Sequence, residues 1–302
     1  AQAASFTWKV LAATSAPAMA FLQGGFFALG LLGLLLTWGC NLQSPLISNM
    51  ITRPWVMMDP EYAPHVFGQF LRAQATNNLT MAVCGTLLLL AGSFSIVSCR
   101  ATSGKTWKRV GFHYLGLCVA FALSFPLQCA LLEQPKEPRA DGIPACVSTL
   151  LTAAMGAFAI YSQQGDGLIN VWYFLATALV PLVYESLAGR GKGPVAAFRV
   201  LACVNLAASV LLWFRAMPLR EADGGMFELI FESWFTASIF WDLVVCTMCA
   251  GAWVAQHTGD PKLTVFTLFC PSAGLPLALA VLSESAKSAP NLQSDGYVRA
   301  PN

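Results

Sequence analysis

Charge is scarce in this chain. Asp, Glu, Lys and Arg make up 11% of its 302 residues, where ordinary soluble domains carry roughly a quarter. A formal net charge of +2 gives no electrostatic case for nucleic acid as a partner. Histidine is scarcer still. His65, His113 and His257 are the only three, too few and too dispersed for a di-metal oxidase or a multi-haem protein. No lysine lies inside an apolar run, so a retinal Schiff base has no anchor. G-x-S-x-G, H-E-x-x-H and G-x-x-x-x-G-K-[ST] are all absent, which argues against the nucleophile elbow, the zinc-peptidase helix and the phosphate loop. The ten cysteines stand mostly singly inside apolar runs, where a thiol behaves as a small hydrophobe. Cys246 and Cys249 form one C-x-x-C within a continuous helical run, without the second pair a metal site needs, so no metal ligand set is expected.

What the chain does have is apolar length. Hydrophobic residues make up 56% of it and its mean hydropathy is +0.61, more than a soluble domain of this size needs. Eight runs reach the ~20 residues that cross a bilayer: 18–40, 77–98, 110–132, 143–161, 168–187, 194–214, 233–255 and 263–282. None shows the alternating pattern of a barrel strand. The expected fold is therefore all-α, a polytopic integral membrane helix bundle of about eight transmembrane helices in one membrane domain. Residues 41–76 are too apolar for a solvated linker and read as an ordered connection lying on the membrane surface. Residues 283–302 read as a polar tail. The small-residue start AQAAS fits the end left by a cleaved targeting peptide.

Eight crossings put both termini on one side. That side then holds nine Lys and Arg, among them Arg215 and the acid-free cluster Arg100, Lys105, Lys108 and Arg109. The other side holds seven, including Lys136, Arg139 and Lys262. The cluster places the termini in the cytoplasm or stroma.

Polar groups inside spans are the default functional candidates. Asp242 lies about 13 Å into its span, and Asn205, on an antiparallel span, lies level with it. An Asp–Asn hydrogen bond between the two helices is the structural reading of both residues. A ligand or pigment contact and an ion- or proton-translocating role are the alternatives for Asp242. Glu185 and Arg199 fall near the opposite surface, where they can pair as ions. Prolines 126, 181, 271 and 276 interrupt spans, as in transporters, but no repeat of fixed period is visible.

Nine Trp, twenty Phe and six Tyr suit an interfacial belt. They equally suit flat apolar ligands: chlorophyll, with His113 or Glu185 as axial ligand and Arg199 balancing the charge, or carotenoid. Three segments, GLLGLLLTWGCNLQ, SWFTASIFWDLVVCTMCAGAWVAQ and GLPLALAVL, resemble a poorly characterised polytopic membrane family of cyanobacteria and plastids. The likeness covers about a third of the chain and leaves the other spans aside. It implies a plastid membrane, the thylakoid, where the cation cluster makes the termini stromal. The leading expectation is an accessory, non-catalytic subunit of a photosynthetic membrane complex, bridging a photosystem core and its light-harvesting antenna proteins among membrane lipids. The alternatives are a small-solute carrier with a midplane Asp242–Asn205 site, and a membrane-embedded lipid or isoprenoid enzyme with Asp242 or Glu185 as acid or base.

Overall fold

The computed structural model describes residues 16–59, 78–100, 106–132, 196–217 and 225–287, with three isolated positions between 179 and 183. All regular structure among them is helical. The helices are α1 (Ala16–Asn41), α2 (Pro45–Thr52), α3 (Asn78–Arg100), α4 (Thr106–Cys118), α5 (Phe121–Leu131), α6 (Ala196–Ala216), α7 (Gly225–Glu232), α8 (Trp234–Thr258), α9 (Pro261–Phe269) and α10 (Pro271–Lys287). Four of them, α1, α3, α6 and α8, are long and apolar enough to cross a membrane. The runs 143–161 and 168–187, the inner part of the 41–76 connection from residue 60 onward, and the tail beyond 287 lie outside the described residues.

Contacts between helices fix their directions. Thr80 and Thr236, each the third residue of its helix, meet with their hydroxyls 2.8 Å apart, so α3 and α8 run parallel. Along α3 the partners on α6 descend in number: Asn78 donates to the Arg215 carbonyl (3.3 Å), Trp213 to Thr86 (3.0 Å) and Asn205 to Ser93 (3.2 Å). These two helices are therefore antiparallel. Thr37 bonds Asp242, and a Cβ on Gly33 would lie 3.0 Å from Val245, so α1 and α8 are antiparallel as well. Thus α1 and α6 rise from one face, here the near face, and α3 and α8 return to it.

The run 110–132 does not cross. One turn of α3, Phe94 and Ser95, touches His113 on α4 and both Phe125 and Gln128 on α5. In a single straight helix His113 and Gln128 would stand about 22 Å apart. Instead α4 and α5 fold back on each other, closed by Ser124 donating to the Phe112 carbonyl and by the Phe121 ring lying over Gly116. With 13 residues in α4 the hairpin reaches about 20 Å in from the near face. The run 263–282 does the same. A Cβ on Gly274 of α10 would sit 2.6 Å from the Cα of Thr267 on α9, and the end of α10 is back beside the start of α6, where Glu284 pairs with Arg199. Neither expected crossing is a single span; each is a re-entrant helical hairpin.

The local chemistry of the turn into α9 is plain. Gly259 takes a left-handed conformation (φ 62°) after α8. Asp260 then caps α9 by accepting from Lys262 N (2.9 Å) and Leu263 N (3.3 Å), with Pro261 at the first helical position.

The two halves of the bundle repeat. Each offers a rising helix, a returning helix and a hairpin: α1, α3 and α4–α5, then α6, α8 and α9–α10. The packing is preserved under their exchange. α1 packs on α5 as α6 packs on α10; α1 on α8 as α6 on α3; α3 on α4 as α8 on α9; α8 on α5 as α3 on α10. The halves run in the same direction, so the pseudo-two-fold axis lies along the membrane normal and passes between α3 and α8 beside the Thr80–Thr236 pair.

This arrangement moves charges. Arg215 ends a rising helix and lies on the far face, not with the N-terminal-side cluster, and Lys262 moves to the near face. Among the described residues the near face carries Arg100, Lys108, Arg109, Arg199, Lys262 and Lys287, and the far face Arg53 and Arg215.

Candidate functional site: the two hairpin tips

The first tip is the break between α4 and α5. Ala120 holds the N-cap position in extended conformation (φ −171°, ψ 136°) and has no side chain with which to cap. The first N–H groups of α5 would be orphaned inside the bundle, at a cost of about 1–3 kcal/mol each. Asp242 of α8 supplies the missing acceptor. Its Oδ1 takes Ala122 N–H at 2.7 Å, the Phe121 N–H also reaches the carboxyl, and Thr37 of α1 donates to the same oxygen at 3.4 Å. Trp38 Nε1 donates to the Val119 carbonyl at 3.2 Å, meeting an acceptor freed at the end of α4. A buried carboxyl group, 8% exposed, thus caps a helix in trans where the helix macrodipole is positive. Close approach makes this possible: a Cβ on Gly33 of α1 would lie 2.6 Å from Ala122 Cβ and 2.8 Å from its carbonyl.

The second tip is built differently. α10 begins with Pro271, which has no N–H, so only Ser272 presents a first-turn donor there, while Ala273 N and Gly274 N both find the Cys270 carbonyl, as Leu123 N and Ser124 N find that of Ala120 at the first tip. Asn205 of α6 donates to the Ser272 carbonyl (2.8 Å) and to Ser93 Oγ of α3 (3.2 Å). The one hydrogen of the Ser93 hydroxyl is shared between the Leu89 carbonyl of its own helix (3.1 Å) and the Ser272 carbonyl (3.3 Å), and the hydroxyls of Ser209 and Ser272 meet at 2.9 Å. The tips obey the same rule under the pseudo-two-fold: each is held by the rising helix of its own half and the returning helix of the other.

The expected Asp242–Asn205 bond is not made. The two residues hold different tips, because the re-entrant hairpins come between their helices. The expected Glu185–Arg199 pair falls outside the described residues on the Glu185 side. Arg199 NH2 lies 2.8 Å from Glu284 Oε2, both side chains being largely exposed. His113 is enclosed within the bundle. Its Nδ1 meets Ser95 Oγ, and its ring packs edge-on against Phe121 and Tyr114. Cys249 faces Cys129 of α5 with the sulfurs 3.5 Å apart. Among the described residues no group of three or more His, Cys, Asp and Glu could hold a metal ion.

Thr37, Trp38, Ser93, Ser209 and Ser272 were not singled out by their residue types. One signal was available: FALSFP (Phe121–Pro126) and PSAGLP (Pro271–Pro276) each place a proline at the sixth position of a returning arm. Compared with known protein families, curated proteins and solved structures, the chain has no match.

Proposed function

We propose that the chain is a membrane carrier for a small solute bearing an oxygen acceptor, with the α4–α5 hairpin as its gate and Asp242 as the latch. One observation carries this reading: the tip of a re-entrant helix inside the bundle is held by a carboxyl group from another helix, not by a cap of its own. Such a contact separates without breaking the chain's regular structure. When the hairpin withdraws, the N–H groups of Phe121 and Ala122 are exposed, and a solute carboxylate, phosphate or carbonyl oxygen can take the position of Asp242. Parallel repeats, broken helices and ligand groups at their ends are the recurring parts of solute carriers. The excess of cations on the near face makes that face the cytoplasmic or stromal one.

Purified protein in liposomes tests this. A panel of labelled sugars, amino acids, carboxylates and inorganic phosphate should contain one solute that enters faster than into empty liposomes, and Asp242→Asn should slow it at least tenfold. Entry at the empty-liposome rate for the whole panel, or wild-type flux in Asp242→Asn, overturns the reading.

A second reading rests on a different surface. Phe227 and Phe231 of α7 are exposed and pack edge-on or tilted against Phe240 and Trp241 of α8, with ring centroids 6.0–6.5 Å apart. An exposed aromatic patch of this kind suits a pigment-bearing neighbour, consistent with an accessory subunit between a photosystem core and its antenna in a thylakoid membrane, with chlorophyll or carotenoid at the seam. An absorption spectrum of mildly purified protein tests it: a colourless protein without co-migrating subunits removes this reading.

A further inference from the structure

The second tip has one group that its own network does not use. Asn205 is fully buried, at 0% exposure, and both hydrogens of its amide are directed at Ser272 and Ser93, yet its Oδ1 has no partner among the described residues. An orphaned amide oxygen in a dry interior is costly. Turning the amide over would not help, because Oδ1 would then face the Ser272 carbonyl, which is an acceptor itself. The surroundings are also rich in acceptors. Ser93, Ser209 and Ser272 bring three hydroxyl oxygens, all buried. Each hydroxyl has one hydrogen and two lone pairs, so a network of this kind ends with lone pairs unused. The chain breaks at Cys270, where the last carbonyls of α9 meet the first turn of α10, so the opposed ends of the two helix dipoles offset one another. Among the described residues no carboxylate belongs to the cluster, and Pro271 removes one of the two first-turn N–H groups that would otherwise repel a cation, leaving that of Ser272.

We infer that this tip is a binding site for a dehydrated monovalent cation of the sodium class, ligated by Asn205 Oδ1 and serine hydroxyls. Neutral oxygens replace part of the hydration shell of a singly charged ion; a divalent ion would require carboxylates, which the cluster lacks. Binding is independent of how the protein is used. Its role as the coupling ion rests on the transport reading above.

The test is thermal unfolding of the purified full chain in sodium, lithium, potassium or choline chloride at equal ionic strength. Sodium should raise the midpoint by several degrees over choline, saturably. Asn205→Leu should abolish the sodium increment. Ser209→Ala, which removes one hydroxyl and leaves both bonds of the Asn205 amide in place, should fold in choline and require about tenfold more sodium for the same shift. Asp242→Asn should retain the full increment. Midpoints equal in all four salts, as a trapped water at Oδ1 would give, overturn the site. So does a sodium increment that survives in both Asn205→Leu and Ser209→Ala. The two proposals fail separately: a sodium increment without flux removes the carrier and keeps the ion site, whereas flux without an increment does the reverse.

Discussion

The first hairpin tip opens its returning arm with Phe121 and Ala122 and so presents two N–H groups to the interior; the second opens with Pro271 and Ser272 and presents one. The first collects an acid, Asp242, and a hydroxyl, Thr37. The second collects an amide and three serines. At the pairing of α3 with α8 through Thr80 and Thr236, Asp242 is matched by Thr86, six residues on from Thr80, and Thr86 accepts from Trp213 as the first tip draws on Trp38. The scaffold is duplicated; the chemistry at its two ends has diverged into a donor-rich tip and an acceptor-rich one.

The sharpest way to break the comparison is all-or-none. Cys129 on the returning arm and Cys249 on α8 have sulfurs 3.5 Å apart, although 120 residues separate them. Copper-phenanthroline should join them into a disulfide, detected by gel mobility after cleavage between the halves. If the run 110–132 were a straight crossing, Cys129 would sit towards the far face and no cross-link would form. Next in size is Asp242→Leu, which strands the Phe121 and Ala122 donors and should cost on the order of 3 kcal/mol. Asp242→Asn keeps an acceptor oxygen and should cost about 1 kcal/mol. Equal thermal midpoints for the two variants would sink the trans cap. Gly33→Ala forces a methyl against the Ala122 backbone and should cost about 2 kcal/mol, freeing the first tip without touching its polar groups. Pro271→Ala makes the second tip resemble the first: it adds an N–H with no acid to meet it, and about 1 kcal/mol should be lost. The smallest effect belongs to Arg199→Ala. Its ion pair with Glu284 is solvent-facing and should contribute well under about 1 kcal/mol.

Sequence alone showed that the chain is all-helical and apolar enough for a membrane, because hydropathy reports composition directly. It placed Asp242 and Asn205 among the groups that matter, because a polar side chain in an apolar run must find a partner somewhere. It could not name the partners. Depth counting assumes that each run crosses, and a 23-residue run that folds back has the same composition as one that does not. The duplication stayed hidden for a related reason. Matching positions are about 175 residues apart at Trp38 and Trp213, 156 at Thr80 and Thr236 and 150 at Pro126 and Pro276, so no single period exists. Lipid-facing positions accept any of several apolar residues, and this erodes identity while leaving the packing intact. The Asp260–Pro261 cap of α9, by contrast, can be read from four residues, since its chemistry is local.

The exchange of partners between halves has a consequence for synthesis. α1 packs on α8 of the other half, and the residues that tie them, Thr37 and Asp242, are 205 positions apart. At about 5–20 residues per second, the ribosome adds α8 some tens of seconds after α1 has entered the bilayer. For that interval the glycine face of α1 can already pack on α5, but Thr37 lacks Asp242 and the first hairpin has no acid to close it. The first half must therefore wait in the membrane as an incomplete bundle, held by lipid or by the insertion machinery, until the second half arrives to finish it.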